Sequence, residues 1–151
     1  MSKIDTLHLK IRAEVHTLVD HINTNVLKSS VQMIVTQGLR TFDEQTKLYN
    51  QRPKVTNAKA GESIHNYGLA FDFCLAVGSK LIWETNKDFD GDKFPDWMEV
   101  VKVFKDAGYT WGGDFKSIHD APHFEKTFGH TWKQLLQLKN DGKTQNGYVI
   151  L

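Results

Sequence analysis

The first stretch of the chain has apolar residues at steps of three and four, the spacing of an amphipathic helix. Ser2 and Asp5 resemble a capping pair at its start, so the pattern predicts one helix over residues 3–27. The residues of its apolar face are Ile4, Leu7, Ile11, Val15, Leu18, Ile22 and Val26. We interpret this helix as scaffold.

Residues 31–36 alternate apolar and polar side chains, which predicts a β-strand. Residues 69–77 and 80–84 flank a glycine-serine turn and predict a β-hairpin. Residues 51–62 are mostly polar and contain proline and glycine, which predicts a surface loop between the first strand region and the hairpin.

Three shorter helices are indicated by capping residues and apolar faces. Their predicted bounds are Thr41 to Asn50, Pro95 to Ala107 with Gly108 closing the helix, and Thr131 to near Lys139. Helices and hairpin-linked strands are mixed without a regular strand–helix alternation. This mixture predicts an α+β fold with a small antiparallel sheet and flanking helices.

Composition is consistent with one globular domain that needs no cross-links. The 151 residues are 40% hydrophobic and 25% charged, so we expect a single catalytic domain over residues 1–151. Residues 139–151 are too few to fold alone and are interpreted as a C-terminal tail. Cys74 is the only cysteine and lies in an apolar run, which predicts a buried, inert thiol.

Charge and hydropathy argue against nucleic acid and membranes as partners. The net charge is +1, from 19 basic and 18 acidic residues without long runs, which argues against nucleic acid. No stretch approaches the roughly 20 apolar residues of a membrane span, so we expect no membrane insertion. Charged residues from Lys3 to Glu14 interrupt any signal-peptide core, so we expect synthesis in the cytoplasm without a signal peptide. We expect a monomer.

The first candidate for chemistry is a histidine and a carboxylate seven residues apart, His65 and Asp72. Bonds from zinc to such ligands are about 2.0–2.2 Å long. On a straight helix the two Cα atoms would be about 10.5 Å apart, and on a straight strand about 23 Å. The chain must therefore bend between them, and we expect the bend at Asn66-Tyr67-Gly68.

A second candidate lies in the segment Asp120 to Glu125. Pro122 favours an extended backbone before it, which would point His123 and Glu125 to the same side. The two segments together offer two imidazoles and a carboxylate, donors suited to zinc with a fourth position left open. Each histidine alone is weak evidence, because histidines serve many structural roles.

The motifs also occur in a recognisable order. They are Gln37-Gly38-Leu39-Arg40-Thr41 with Glu44-Gln45, Ser63-x-His65-x-x-Gly68-x-Ala70-x-Asp72, Trp111-Gly112-Gly113-Asp114, and Asp120-x-Pro122-His123-Phe124. This series, which extends from about residue 34 to 125, resembles the L-alanyl-D-glutamate endopeptidases. That family is related to the D-Ala-D-Ala carboxypeptidases and dipeptidases, and many members are bacteriophage endolysins.

The resemblance implies a D-Ala-D-Ala peptidase (Hedgehog-like) fold and one zinc ion held by His65, Asp72 and His123. It also implies that Asp120 is the catalytic carboxylate and that peptidoglycan stem peptides are the substrate. For a phage endolysin, the enzyme would reach the cell wall after membrane permeabilisation by a second protein.

Each remaining candidate residue has a structural alternative. Asp120 is the proposed base, but it could cap a turn before proline. Arg40 could bind a substrate carboxylate or the oxyanion, or it could form a surface ion pair. Ser63 and Trp111 are candidate substrate-binding residues; Ser63 could instead orient a ligand, and Trp111 could pack in the core.

Other functions account for the motifs less well than the endopeptidase does. Two histidines and a carboxylate also occur in non-haem iron oxygenases, but the chain has too few strand signals for their usual barrel. A two-carboxylate glycosidase would leave the histidines unexplained. A zinc ion that only stabilises a non-catalytic wall-binding module normally has four protein ligands, whereas the motifs here supply three and leave one position open. The closest alternative is a D-Ala-D-Ala carboxypeptidase or dipeptidase.

An acidic segment brings Asp88, Asp90, Asp92 and Asp96 within nine residues. Its alternating carboxylates match part of the calcium-loop pattern. The interpretation from the pattern is that no bidentate glutamate follows at the distance an EF-hand requires. Calcium is therefore disfavoured at Asp88, Asp90 and Asp92, and a solvated acidic loop is favoured.

Overall fold

The apolar run at residues 70–77 forms β2 (Ala70–Val77), the central strand of an antiparallel sheet in a computed structural model that describes residues 2–151. The other strands of this sheet are β1 (Val31–Gln37), β3 (Lys80–Ile82), β4 (Thr110–Trp111) and β5 (His123–Glu125). One edge of β2 pairs with β1, and the other edge pairs with β5 and then with β3. β4 pairs with the free edge of β5. The predicted α+β class, antiparallel sheet and hairpin are confirmed.

The prediction of a single helix over residues 3–27 is wrong. The segment forms a 3₁₀ helix (Lys3–Thr6), α1 (Leu9–His21) and a π-helical turn (Ile22–Val26). His8 causes the break, because its backbone N–H donates to the Gly68 carbonyl (2.9 Å) while its ring accepts from Lys10 N (3.0 Å) as the cap of α1. Tertiary contact therefore overrides the helical periodicity, although the predicted capping box at Ser2 is present.

The three shorter helices lie close to their predicted positions. They are α2 (Phe42–Asn50), α3 (Asp96–Asp106) and α4 (Trp132–Asn140). α2 and α4 begin with complete capping boxes, at Thr41 and Thr131. Pro95 is the N-cap of α3 rather than its first helical residue. The second strand of the hairpin ends at Ile82, two residues before its predicted end.

The main core lies on one face of the sheet, under α1 and α3. Phe71 and Phe73 of β2 contact Phe124 of β5, with ring centroids 5.5 and 5.4 Å apart. From α3, Phe104 packs on Phe71 and Trp97 packs on Phe73. Because side chains alternate along a strand, the residues between these aromatics point to the opposite face of the sheet.

The C-terminal tail forms a small hairpin of β6 (Thr144–Gln145) and β7 (Tyr148–Val149). Val149 is buried, its carbonyl hydrogen-bonds to the ring of His8 (2.8 Å), and the Tyr148 hydroxyl donates to Thr6 O (2.7 Å). The end of the chain therefore packs against its beginning. Cys74 is fully buried, as predicted. Within residues 2–151, no helix has the length and apolar character needed to cross a membrane.

Candidate metal centre and active site

Asp72 and His123 face each other because of the strand register. In the antiparallel pairing of β2 with β5, Asp72 is the direct partner of His123. Both side chains point to the face of the sheet opposite Phe71, Phe73 and Phe124. Asp72 Oδ1 lies 3.4 Å from His123 Nδ1.

His65 reaches the same point because the chain bends just before β2. Residues Ile64–Tyr67 form a short 3₁₀ helix, and the side chain of Ser63 caps it by accepting from His65 N (3.3 Å). Gly68 then takes a left-handed conformation (φ +70°), where a side chain would also collide with His8 N. The bend brings His65 Nε2 to 3.3 Å from Asp72 Oδ1.

Both histidines are held by their outer nitrogen atoms. His65 Nδ1 is 2.9 Å from the Gly38 carbonyl oxygen, and His123 Nε2 is 2.7 Å from Glu125 Oε1. These acceptors favour a proton on the outer nitrogen and leave the inner nitrogen facing Asp72, where it can bind a metal ion in place of a proton. Such outer hydrogen bonds are typical of metal-binding histidines, whose tautomer and ring orientation they determine.

The cluster contains a buried oxygen without a hydrogen bond. Asp72 Oδ1 has no hydrogen-bond partner, because its two imidazole neighbours lack the required geometry. Ligand atoms of Asp72, His65 and His123 all lie within 4.8 Å of one another. A buried acceptor of this kind is costly unless a cation or a proton satisfies it. The three residues therefore fit a metal ion.

The electrostatics of the cluster also favour a cation. Burial opposes the charge on Asp72, but the close approach of His123 and His65 holds the pKa of this carboxyl well below its usual range. Burial also opposes the charge on His123, but Asp72 and Glu125 outweigh it and raise the pKa of His123 to about 9. A bound metal ion would take the place of the proton between the two groups.

Asp120 lies at the edge of this cluster. Its Oδ2 is 3.8 Å from His123 Nδ1, and its backbone N–H donates to the Gly112 carbonyl (2.9 Å). Gly112 must be a glycine here, because a side chain would collide with the Asp120 carbonyl oxygen and with Cβ of His123. Burial, together with the charge of Asp72, raises the pKa of Asp120 above its ordinary value. A carboxylate with a raised pKa is suited to accepting a proton.

Arg40 is held by two glutamines. Its Nη1 donates to Gln45 Oε1 (3.1 Å), and its Nη2 donates to Gln37 Oε1 (2.6 Å). Gln45 is fully buried and also donates to the Ala58 carbonyl (2.8 Å). These neutral acceptors fix the guanidinium without neutralising it, so its charge remains available to a ligand. Arg40 is therefore not part of the surface ion pair that was its structural alternative.

A cavity of about 300 Å³ joins these groups. Its wall includes Arg40, Ser63, His65, Asp72, Asp120 and His123. Six of the seven site residues predicted from the sequence therefore lie around one cavity. Their chemical roles remain predictions.

Trp111 is the exception, because it does not line the cavity. Its indole N–H donates to the carbonyl oxygen of Ala121 (2.8 Å), and its ring packs on the core cluster. The indole N–H of Trp97 donates to the same oxygen (3.2 Å). Two indoles thus fix the backbone just before Pro122 and His123.

Sequence reasoning placed Glu125 on the same side as His123 and included Gln37 and Gln45 in a motif, but it assigned none of the three a supporting role. Glu125 hydrogen-bonds to His123, and Gln45 and Gln37 hold Arg40. The spacing of Glu125 two residues after His123 on an extended strand predicted the shared face but not the hydrogen bond. No sequence signal shows that Gln45 is buried beneath Arg40, because this depends on how α2 packs.

Comparison with known proteins agrees with a metal-dependent peptidase. A family model described as D-alanyl-D-alanine carboxypeptidase, from the M15 peptidases, matches residues 56–126, the segment that carries all three candidate ligands. The peptidoglycan L-alanyl-D-glutamate endopeptidase CwlK of Bacillus subtilis (strain 168) is 39% identical over 128 residues, which cover 78% of this chain and 76% of CwlK. The chain belongs to the L-alanyl-D-glutamate endopeptidase family, as the motifs predicted.

Two further relatives are more distant. An L-alanyl-D-glutamate peptidase of Listeria phage A118 is 26% identical over 125 residues, which cover 83% of this chain but only 40% of the phage protein. The crystal structure of the Serratia marcescens L-Ala D-Glu endopeptidase ChiX superposes with a TM-score of 0.57 at 23% identity, covering 83% of this chain and 84% of ChiX. At this identity the superposition establishes the fold alone.

Proposed function

We propose that the protein is a zinc peptidase that hydrolyses the L-Ala-D-Glu bond in peptidoglycan stem peptides. In this proposal His65, Asp72 and His123 hold the zinc, Asp120 is the catalytic base, and Arg40 binds the substrate. The names of CwlK, ChiX and the Listeria phage relative support the choice of bond.

The observation that carries the proposal is the spacing of the candidate ligand atoms. Two atoms bound to one zinc at about 2.0–2.2 Å in a tetrahedral arrangement lie about 3.3–3.6 Å apart. Asp72 Oδ1 is 3.3 Å from His65 Nε2 and 3.4 Å from His123 Nδ1. This spacing, with two nitrogen donors and one oxygen donor, supports zinc with one coordination position left open.

Bound zinc would supply Lewis acidity, which polarises a carbonyl group and lowers the pKa of water to about 7. Asp120 lies close enough to the cluster to accept a proton from the attacking water, and its raised pKa allows it to pass the proton to the leaving amine. Glu125 and the Gly38 carbonyl hold the imidazoles in the tautomer that binds metal.

Arg40 supplies a positive charge to the wall of the cavity. Peptidoglycan stem peptides carry carboxylates next to the proposed scissile bond, and a guanidinium held by two glutamines can bind a carboxylate or an oxyanion without moving. Ser63 lies in the same wall, but its hydroxyl already accepts from His65 N. Its contribution in this proposal is to orient the ligand segment.

The test is mass spectrometry of purified peptidoglycan digested by the protein, with a chelator and with zinc added back. The expected products are stem peptides with a new N-terminal D-Glu, absent after chelation and restored by zinc. Products that are insensitive to chelation would refute the role of the metal. If no product forms with any added metal, the result would refute the peptidase and favour a non-catalytic wall-binding module.

A second candidate is supported by the family model, whose description is D-alanyl-D-alanine carboxypeptidase. The same zinc site and base could serve this reaction, which differs in how the cleft receives the C-terminus of the substrate. Release of free D-Ala in the same digestion, without new N-terminal D-Glu, would select it.

The proposed biological role is that of a phage endolysin that acts on the wall after membrane permeabilisation. The relative from Listeria phage A118 supports this role, whereas CwlK comes from a bacterium. Addition of the protein to cells with permeabilised membranes should reduce turbidity, and the Asp120→Ala variant should not. Equal turbidity loss with both proteins would refute the lytic role.

A further inference from the structure

The acidic segment between β3 and α3 has the spacing of a twelve-residue calcium loop. Counted from Asp88 as position 1, Asp90, Asp92, Asp96 and Glu99 occupy positions 3, 5, 9 and 12. These are side-chain ligand positions of an EF-hand loop, in which position 12 is the bidentate glutamate. The interpretation made from the sequence was wrong on this point, because Glu99 stands at the required distance.

The backbone of the loop is folded around its first carboxylate. Gly91 N and Lys93 N donate to the two oxygens of Asp88, each at 2.8 Å. Lys93 has φ +75° at position 6, where an EF-hand has an invariant glycine for the sharp turn. The chain therefore makes the turn of a calcium loop although it lacks the usual residue there.

Unpaired carboxylate oxygens of Asp96 and Glu99 are an independent indication that the segment binds a cation. Asp96 is fully buried; its Oδ2 accepts from Phe89 N (2.7 Å), but its Oδ1 has no hydrogen-bond partner. The buried Oε2 of Glu99 also has no partner. Unpaired carboxylate oxygens out of contact with water are costly, and their usual partners are basic side chains or metal ions.

Charge in the cluster is not balanced by the protein. None of the ion pairs found in residues 2–151 involves these five carboxylates. Burial and the neighbouring Asp92 raise the pKa of Glu99 to about 8, and burial and the neighbouring Asp90 raise that of Asp96 to about 6. A divalent cation would relieve this repulsion.

The dimensions and the donor set favour calcium among the common cations. One oxygen from each of the four aspartates lies within 4.8 Å of the others. Calcium takes six to eight oxygen ligands at about 2.3–2.6 Å, so two of its ligands can be up to about 5 Å apart. Magnesium keeps several waters and is rarely enclosed by an all-protein site, and the absence of nitrogen or sulfur donors disfavours zinc.

We propose that Asp88, Asp90, Asp92, Asp96 and Glu99 bind one calcium ion and so fix the start of α3. Asp96 and Glu99 lie in the first turn of α3 and flank Trp97. Trp97 stacks on Phe73 (4.4 Å between ring centroids) and donates to the Ala121 carbonyl next to the His123 strand. The ion therefore stabilises the scaffold that carries the candidate metal centre, and it is distinct from the zinc of the proposed function.

The test is isothermal titration of the protein with CaCl₂ alone, combined with thermal unfolding. We expect one calcium per chain, a dissociation constant of about 10⁻³ M or lower, and a higher Tm with calcium. Glu99→Gln and Asp92→Asn should each weaken binding roughly tenfold or more. Both remove charge from a repulsive cluster, so they should fold. The matched control is Asp106→Asn, an exposed residue at the end of α3, which should bind as the parent does.

A further variant separates this site from the zinc site. His123→Ala should lose zinc and still bind calcium with unchanged stoichiometry. The proposal is overturned by the absence of both binding heat and Tm shift up to about 10 mM CaCl₂. It is also overturned if calcium binding survives in Glu99→Gln and Asp92→Asn but is lost in His123→Ala, because the ion would then occupy the other site.

Discussion

Asp72 and His123 are direct partners in the antiparallel pairing of β2 with β5, and Asp72 Oδ1 lies 3.4 Å from His123 Nδ1. Residues that are 51 positions apart in the chain are thereby held in a fixed geometry by backbone hydrogen bonds of a sheet. Only His65, which stands on a short 3₁₀ helix, depends on a bend in the chain. A site built on strands in this way needs little rearrangement to receive a metal ion.

Replacement of a candidate ligand should remove the metal. His123→Ala is expected to lose stoichiometric zinc and all hydrolysis of peptidoglycan, because only two protein ligands would remain. Zinc is measured by atomic absorption after gel filtration. The matched control is His21→Ala, an exposed histidine at the end of α1, which should keep one zinc per chain. Retention of stoichiometric zinc by His123→Ala would exclude the ligand assignment.

Replacement of the candidate base should separate catalysis from metal binding. Asp120→Ala should keep its zinc but lose about 10²–10⁴-fold in kcat, the usual contribution of a general base. Asp114→Ala is the control, because Asp114 is exposed and pairs with Lys105 away from the cavity. An Asp120→Ala variant that hydrolyses stem peptides at the parental rate would remove Asp120 from the mechanism.

Glu125 should act through His123. Glu125→Gln replaces a charged acceptor by a neutral amide, so we expect zinc affinity to fall about 10–100-fold. The affinity is measured by competition with a chromophoric chelator. Glu84→Gln, at an exposed position after β3, should leave the affinity unchanged. If both variants bind zinc as tightly as the parent, the hydrogen bond from His123 to Glu125 has no role in tuning the site.

Arg40 should contribute through the shape of its guanidinium as well as its charge. Arg40→Lys keeps the charge but replaces the planar fork, whose two nitrogens donate separately to Gln45 and Gln37, with a single ammonium nitrogen, so kcat/KM should fall at least about tenfold. Zinc content should stay stoichiometric, because Arg40 does not contact the ligand atoms. Arg52→Lys, on the exposed loop after α2, serves as the control. If kcat/KM is unchanged in Arg40→Lys, the guanidinium fork has no role in binding the substrate.

The effect of calcium should depend on pH. Glu99 has a pKa raised to about 8 from an ordinary value near 4.5, so between these values the calcium-free folded protein binds more protons than the unfolded chain. Its free energy of unfolding should therefore fall as pH rises through this range. Calcium replaces the proton, so the Tm increase that it causes should be larger at pH 8 than at pH 5. Glu99→Gln should reduce this difference and leave the smaller part that Asp96 contributes, because the pKa of Asp96 is raised to about 6. An equal Tm increase at both pH values in the parent protein would contradict the argument.

Capping residues made the short helices predictable. Thr41 with Glu44 and Thr131 with Gln134 satisfy backbone groups within a few residues of themselves, so the information is local. The prediction of the first helix failed because its break depends on a contact that is distant in the sequence. His8 is drawn out of the helix by a hydrogen bond to Gly68, sixty residues away, and no periodicity within residues 3–27 reports such a contact.

The chain by itself determined the α+β class, the residue types at the candidate metal site and the family, because strand alternation, caps and ordered motifs are local properties of sequence. Tertiary structure decided which atoms meet. The register of β2 with β5 places Asp72 opposite His123, and the packing of α2 places Gln45 beneath Arg40. It also decided that Asp96 is buried with an unpaired oxygen, because burial depends on the packing of α3 on the sheet. Long-range pairing and burial are collective properties of the fold, and no local pattern encodes them.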